Sequence, residues 1–202
     1  MSKKYIPNDK WAQRAAEDGY RARSVYKLME LDERFRLLRP GMTVIDVGAA
    51  PGSWLQYTSE KIGPQGRVVG FDLQAIEPVA ENVHTFVGDM NDHAMIHAEL
   101  SRLGIMHADL VLSDIAPNTS GIKGRDQWLS VELSRGAAAV ARTFLKPSGV
   151  LVMKVFQGAD FDAFLAEMKR EYATVKVQTV DATRDSSKEV YVVCKSEAKQ
   201  SR

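Results

Sequence analysis

Seven short apolar runs divide the chain, at about residues 42–47, 67–72, 83–87, 109–113, 149–155, 174–180 and 189–194. Several are continuously apolar rather than alternating, the pattern of strands covered on both faces of a parallel sheet. Helical spacing fills the gaps near 53–62, 92–103, 127–145 and 160–171. The 127–145 stretch carries Leu129, Leu133, Ala137, Val140, Ala141, Phe144 and Leu145 and is expected to stop at Lys146-Pro147-Ser148-Gly149. Another helix, roughly 22–35, precedes the first strand. Only Asp181-Ala182-Thr183-Arg184-Asp185-Ser186-Ser187 joins the last two strands, so a hairpin should make one strand antiparallel. The pattern predicts an α/β, Rossmann-like fold: a seven-stranded, mostly parallel sheet with an antiparallel last strand, helices on both faces and an N-terminal helical extension.

The first strand ends in an acid and a glycine turn, Val44-Ile45-Asp46-Val47-Gly48-Ala49-Ala50-Pro51-Gly52-Ser53-Trp54, and the second closes on Asp72. Small residues after a buried strand let a nucleotide-like ligand lie against the backbone, and an acid on the neighbouring strand can take both ribose hydroxyls. The turn is not G-x-G-x-x-G. Gly48-x-x-Pro51-Gly52 holds it, and Pro51 supplies a fixed φ rather than an N–H for a pyrophosphate. An adenosine ligand without a diphosphate, such as S-adenosylmethionine, therefore fits better than NAD. Asp89 and Asp114 also end strands, at the edge where open α/β sheets bind ligands. Asp89 could accept from an adenine amino group, and Ile115-Ala116-Pro117-Asn118 could shape a substrate slot. Lys154 lies inside Leu151-Val152-Met153-Lys154-Val155-Phe156-Gln157-Gly158, where a lysine is costly unless paired or functional. Glu189 opens the last apolar run. Each of these charges alone fits a structural ion pair; their convergence on one sheet edge points to a site.

Charge sharpens the picture. The net +1 hides ten Lys or Arg against six Asp or Glu in residues 1–40, a local +4, leaving −3 for the rest. The basic set includes Lys3, Lys4, Arg21, Arg23 and Arg34, interleaved with Tyr5, Trp11, Tyr20 and Tyr26. Cations with aromatics between them suit RNA phosphates and bases; a solvated charged helix is the plain alternative. Cys194 is the one cysteine, in an apolar run, so it reads as a buried structural thiol in a reducing compartment. No run approaches membrane-spanning length and the start lacks an apolar signal segment, while Asp9, Glu17 and Asp18 argue against a transit peptide. These features predict a cytoplasmic protein with no membrane contact, one domain over 1–202, and a disordered tail at 196–202. His93 and His97 are four apart without a third ligand, so no metal is expected. Thr119–Arg125 reads as a polar loop whose Lys123 and Arg125 either extend an RNA surface or are loop charges.

Five blocks in order carry a resemblance over nearly the whole chain: Arg21-Ala22-Arg23-Ser24-Val25-Tyr26-Lys27-Leu28, Asp46 through Trp54, Ser113-Asp114-Ile115-Ala116-Pro117-Asn118-Thr119-Ser120-Gly121, Lys154-Val155-Phe156-Gln157-Gly158, and Ser187-Lys188-Glu189-Val190-Tyr191. The chain resembles the FtsJ-type ribosomal RNA large-subunit ribose 2′-O-methyltransferases. The resemblance implies a Rossmann-like methyltransferase fold and a catalytic tetrad of Lys27, Asp114, Lys154 and Glu189, with Lys154 as proton acceptor. It places S-adenosylmethionine contacts on Gly52, Trp54, Asp72, Asp89 and Asp114. Its implied substrate is a uridine ribose in the peptidyl-transferase region of large-subunit ribosomal RNA on assembled particles, with a monomeric enzyme. Ser53 stands where a second glycine is common.

Methyl transfer to a 2′-hydroxyl needs alignment and removal of a proton from a weak acid. Burial and the charge of Lys27 would favour a neutral Lys154, while Asp114 and Glu189 would favour its ammonium; an alternative role is orienting the hydroxyl. Arg21, Arg23 and Arg34 are the candidate RNA contacts. Two other readings stay open: the same chemistry on transfer RNA or mRNA caps, and an RNA-binding ribosome-assembly factor with incidental methyl transfer.

Overall fold

The computed structural model describes residues 10–182 and 189–196. The expectations for Lys3, Lys4, Tyr5, residues 183–188 and the tail beyond Ser196 fall outside the described residues. Strands β1 (Thr43–Val47), β2 (Arg67–Asp72), β3 (Val83–Val87), β4 (Ala108–Ser113), β5 (Leu145–Phe156), β6 (Thr174–Gln178) and β7 (Glu189–Lys195) form one sheet in the order β3-β2-β1-β4-β5-β7-β6. β1 pairs in parallel with β2 and β4, β2 with β3, and β4 with β5. β7 runs antiparallel to both β5 and β6. This is the expected Rossmann-like arrangement, with the last strand reversed, since a parallel return needs a longer crossover than the stretch between Gln178 and Glu189.

Helices α1 (Lys10–Glu17), α2 (Val25–Phe35) and α3 (Ser53–Ile62) pack with one sheet face; α4 (His93–Arg102), α5 (Lys123–Phe144) and α6 (Phe161–Glu171) pack with the other. Strand residues alternate between the two cores. Ile45, Val47, Leu151 and Met153 join Ile96, Phe144 and Phe164, whereas Val44, Leu110, Leu112 and Val152 join Leu28, Leu31 and Leu55. Burial on both faces explains the continuous apolar runs. Each fully buried Leu or Ile contributes about 1.5–3 kcal/mol relative to exposure.

The structure departs from the sequence pattern in four places. α1 is a short helix of eight residues that the apolar runs did not mark. Among its residues only Ala15 is buried, and its Trp11 ring lies 5.2 Å from Tyr26 with Arg14 over both rings. α2 starts at Val25 rather than 22. α5 starts at Lys123 rather than 127, because Asp126 Oδ1 accepts from both the Ser120 N–H (2.8 Å) and its hydroxyl (2.7 Å), turning the polar loop onto the first helical turn. β5 begins at Leu145, directly after α5, instead of following a Pro-Ser-Gly break. Ala108 pairs with Leu145 and Leu110 with Val150, so residues 146–149 bulge opposite Asp109, whose carboxylate holds the Lys146 ammonium (2.6 Å) and the Thr43 N–H (2.8 Å).

Candidate functional site

The glycine turn after β1 is fixed to the end of β2. The Gly48 and Ala49 N–H groups donate to the Phe71 carbonyl (2.8 and 3.1 Å), and the Ala50 N–H donates to Asp72 Oδ2 (3.1 Å). Gly48 has φ +72°, and a Cβ there would fall 2.0 Å from the Ile115 side chain. Only glycine meets both demands. Gly52, at φ +106°, ends the turn, and Ser53 enters as the first residue of α3 with its hydroxyl 3.0 Å from that of Ser24. A second glycine is therefore not needed at 53.

Beside this turn lies a cleft of about 590 Å³ whose walls include Gly48, Asp72, Asp89, Asp114, Asn118 and Arg125. Three of the acids singled out from sequence thus face one space. Asp72 accepts the Ala50 and Gln74 N–H groups, one on each oxygen, which fixes its plane and leaves acceptor capacity on both. Asp89 receives the Asn91 N–H (2.9 Å) and side-chain amide (2.8 Å) on Oδ1, leaving Oδ2 clear of both. Gly52 and Trp54 are not among the cleft-lining residues. The Trp54 indole is buried, donating to the Ser24 carbonyl (2.8 Å) with its ring 6.0 Å from that of Tyr191. Only the first-turn amides of α3, which have no intrahelical acceptor, remain to meet a ligand there. A second depression of similar size lies elsewhere, lined by Ser59, Glu60 and Asn82; it holds none of these acids, and Ser59 already donates to Asn82.

Two ion pairs stand at the same edge. Lys27 of α2 is paired with Glu189 at the start of β7, both side chains about nine-tenths buried. Lys154 of β5 donates to the Asp114 main-chain carbonyl (2.5 Å) and lies 3.0 Å from Asp114 Oδ1. Sheet register brings the pairs together. Lys154 is opposite Tyr191, and Glu189 is two residues before Tyr191, so all three project from one face. The Tyr191 hydroxyl donates to Asp114 Oδ1 (2.6 Å), and burial, followed by the Asp114 charge, pushes that hydroxyl well above the ordinary tyrosine range. From the opposite face, Ser134 donates to the Lys154 carbonyl (2.9 Å) and Ser130 accepts the Phe156 N–H (2.9 Å), pinning the strand that carries Lys154.

Asp46 and Tyr191 belong to this site although sequence reasoning did not rank them. Asp46 shares the Lys154 face through its register with Leu112 and Val152, is 2% exposed, and has an Oδ2 without a hydrogen-bond partner. Burial first, then the Asp114 and Asp72 charges, raise its carboxyl well above the ordinary range. A charged residue inside an otherwise apolar strand was the available signal. For Tyr191 it was the period-two spacing from Glu189.

Asp46 sets a pH dependence with a definite sign. Its folded-state value lies above the unfolded one of about 3.9, so its favourable contribution is complete below that pH and is lost as pH rises through the raised value. Asp46→Asn cannot ionise. Its stability should therefore fall less than that of the wild type between pH 4 and 8, read from urea midpoints; parallel curves would mean Asp46 ionises without cost.

The remaining candidates sit apart from the cleft walls, Arg125 excepted. Arg34 is exposed on α2; Arg23 is half-buried in the segment before it. Arg21 turns its guanidinium to main-chain carbonyls. Lys123 and Arg125 open α5, and Arg125 reaches the cleft wall. His93 faces Thr143 and His97 faces Ser101, and among the described residues no cluster of three His, Cys, Asp or Glu is placed for a metal ion. Cys194 is buried and its thiol is pushed up to about 12, chiefly by burial, which makes it inert. Among the described residues no helix is long and apolar enough to cross a membrane.

Comparison with known proteins agrees with this geometry. Residues 20–197 match the FtsJ-like methyltransferase family model. The chain is 47% identical over 186 residues to the ribosomal RNA large subunit methyltransferase E of Azoarcus sp. (strain BH72), covering 92% of this chain and 90% of that one. It is 45% identical over 193 residues to the protein of the same name from Syntrophobacter fumaroxidans, covering 94% and 95%. A crystal structure of a Plasmodium falciparum protein described as a ribosomal RNA methyltransferase superposes with a TM-score of 0.78 at 27% identity, covering 88% of this chain and 98% of that one. The chain belongs to the FtsJ-like methyltransferase family.

Proposed function

We propose that this FtsJ-like methyltransferase moves a methyl group from S-adenosylmethionine to a ribose 2′-hydroxyl of large-subunit ribosomal RNA. Residues 1–202 would act as one domain, as a monomer in the cytoplasm, without a metal. The observation that carries this reading is the placement of two buried ion pairs, Lys154–Asp114 and Lys27–Glu189, beside a cleft walled by Asp72, Asp89 and Asp114. The names of the Azoarcus and Syntrophobacter relatives support ribosomal RNA as substrate. The resemblance described above supports a uridine of the peptidyl-transferase region on an assembled particle.

The residues present fit that cofactor. Asp72 would take the ribose hydroxyls on its remaining lone pairs and Asp89 the adenine amino group. Glycine at 48 keeps side-chain atoms out of the turn, and the first-turn amides of Ser53 and Trp54 are available donors. S-adenosylmethionine supplies a methyl on a sulfonium, so in-line attack by the 2′ oxygen forms the C–O bond while the C–S pair returns to sulfur.

Lys154 is assigned the hydroxyl proton. In the ion pair Lys154 is an ammonium; once that ammonium has released one proton to solvent, the amine has two N–H groups and one lone pair. With the Asp114 carbonyl and carboxylate as its two acceptors, the lone pair is left for the 2′-hydroxyl. Asp114, itself held by Tyr191, positions that amine. Lys27, neutralised by Glu189, would grip the acceptor nucleotide beside it.

The deciding experiment is transfer of tritiated methyl from S-adenosylmethionine to large-subunit particles from a strain lacking this protein, then mapping of the modified nucleotide. A 2′-O-methyl uridine in the peptidyl-transferase region is the expected product; label on a base, or on transfer RNA alone, would replace the assignment. Asp72→Ala should raise the S-adenosylmethionine Kd at least about tenfold, because charge-assisted hydrogen bonds of about 1.5–3 kcal/mol are lost. Unchanged affinity by calorimetry, in a folded variant, would remove Asp72 from the site.

A further inference from the structure

Arg21 opens the basic block that sequence reasoning assigned to RNA, yet its guanidinium is already committed. Nη1 donates to the carbonyls of Pro51 (3.1 Å) and Glu77 (2.8 Å), and Nη2 to that of Pro78 (2.6 Å). Three of its five donors therefore join two segments that no β-ladder connects: the glycine turn and the loop between β2 and β3. That loop begins with Leu73 and Gln74, which line the cleft immediately after Asp72. The Arg21 N–H donates to Gln56 Oε1 (2.9 Å), and Gln56 Nε2 returns a bond to the Gly19 carbonyl (3.0 Å). Gly52 lies directly beneath: a Cβ there would fall 2.9 Å from Arg21 Nη1 and 3.3 Å from Ile76 Cγ2. The missing side chain at 52 is what lets the guanidinium and the loop meet the turn.

The geometry points to Arg21 as a positioning residue of the cofactor side of the cleft, a clamp that sets the β2–β3 loop against the glycine turn, rather than a phosphate contact. This rests on the S-adenosylmethionine reading above. A planar cation with a fixed fork can hold carbonyls from two segments at once, whereas one ammonium cannot span the same three acceptors in that plane. Without the clamp, the wall carrying Asp72, Leu73 and Gln74 would sample orientations in which the acid no longer meets the ligand. The cost would appear as lost affinity for the nucleoside, because preorganisation is what the clamp supplies. Arg34, exposed on α2, remains the better phosphate candidate.

The test uses S-adenosylhomocysteine binding by calorimetry, hydrogen exchange over residues 73–80, and the salt dependence of binding to large-subunit particles. Wild-type protein must first bind S-adenosylhomocysteine; failure there overturns the cofactor reading itself. Given that binding, Arg21→Ala is expected to weaken it at least about tenfold and to speed exchange over 73–80. Its slope of log affinity against log salt on particles should remain that of the wild type. Arg21→Lys keeps the charge and should recover only part of the affinity, which covers the case of a poorly folding alanine variant. Arg34→Ala should instead lower the salt slope by about one unit. Wild-type nucleoside affinity in Arg21→Ala, full recovery by lysine, or a slope lowered by about one unit in Arg21→Ala would each overturn the clamp.

Discussion

Lys154→Arg is expected to bind S-adenosylmethionine and large-subunit particles as the wild type does and to lose about 10²–10⁴-fold in single-turnover methyl transfer, the usual worth of a positioned general base. Arginine retains a cation of similar reach but keeps its proton at any accessible pH. The environment makes this substitution informative. Lys154 lies on a strand pinned by Ser130 and Ser134 from the opposite face, so the backbone should hold its place while the terminal group changes. Lys154→Ala should match the arginine variant in rate, since both lack a titratable nitrogen. Near-normal turnover in Lys154→Arg would end the proton-acceptor role and leave an orienting cation in its place.

The sequence carried the sheet because its central strands are buried on both faces, which writes them as continuous apolar runs such as Val150 to Met153. It carried the reversed strand because no helical segment fits between Val180 and Glu189. Site acids were legible where they terminate such runs, as Asp72, Asp89 and Asp114 do. What stayed hidden was side-chain pairing between distant elements. Nothing local shows that Tyr191 rather than solvent meets Asp114. α1 was hidden for another reason: at eight residues its inward line is only Trp11 and Ala15, too short to show a helical period, and its packing is a Trp11–Tyr26 contact covered by Arg14. At Arg21 composition and geometry point to different roles. A surface arginine in a basic, aromatic-rich stretch has the composition of a phosphate contact, while its donors serve main-chain carbonyls contributed by residues 30 to 57 positions away.

Lys27→Met should be among the most destabilising single changes in the molecule, at about 3–5 kcal/mol, because it removes the ammonium paired with the buried Glu189 carboxylate. Both side chains are about nine-tenths buried, so water can do little to replace the lost ammonium. For a chain of this size that loss corresponds to a fall in Tm of about 6–20 °C. Glu189→Leu added to Lys27→Met removes the buried carboxylate as well and should restore most of the stability, since an apolar pair of similar volume often replaces a buried ion pair at little cost. Methyl transfer should not return with it. Glu189 stands two residues from Tyr191 on the sheet face that carries Lys154, with Lys27 of α2 paired to it, and an apolar pair there offers an incoming nucleotide neither donor nor acceptor. The two readouts separate the roles of the pair: urea midpoints report the buried charge, and single-turnover rates report the grip on substrate. A double variant that regains stability and wild-type turnover together would reduce Lys27–Glu189 to a structural bridge and confine the chemistry to Lys154 and Asp114.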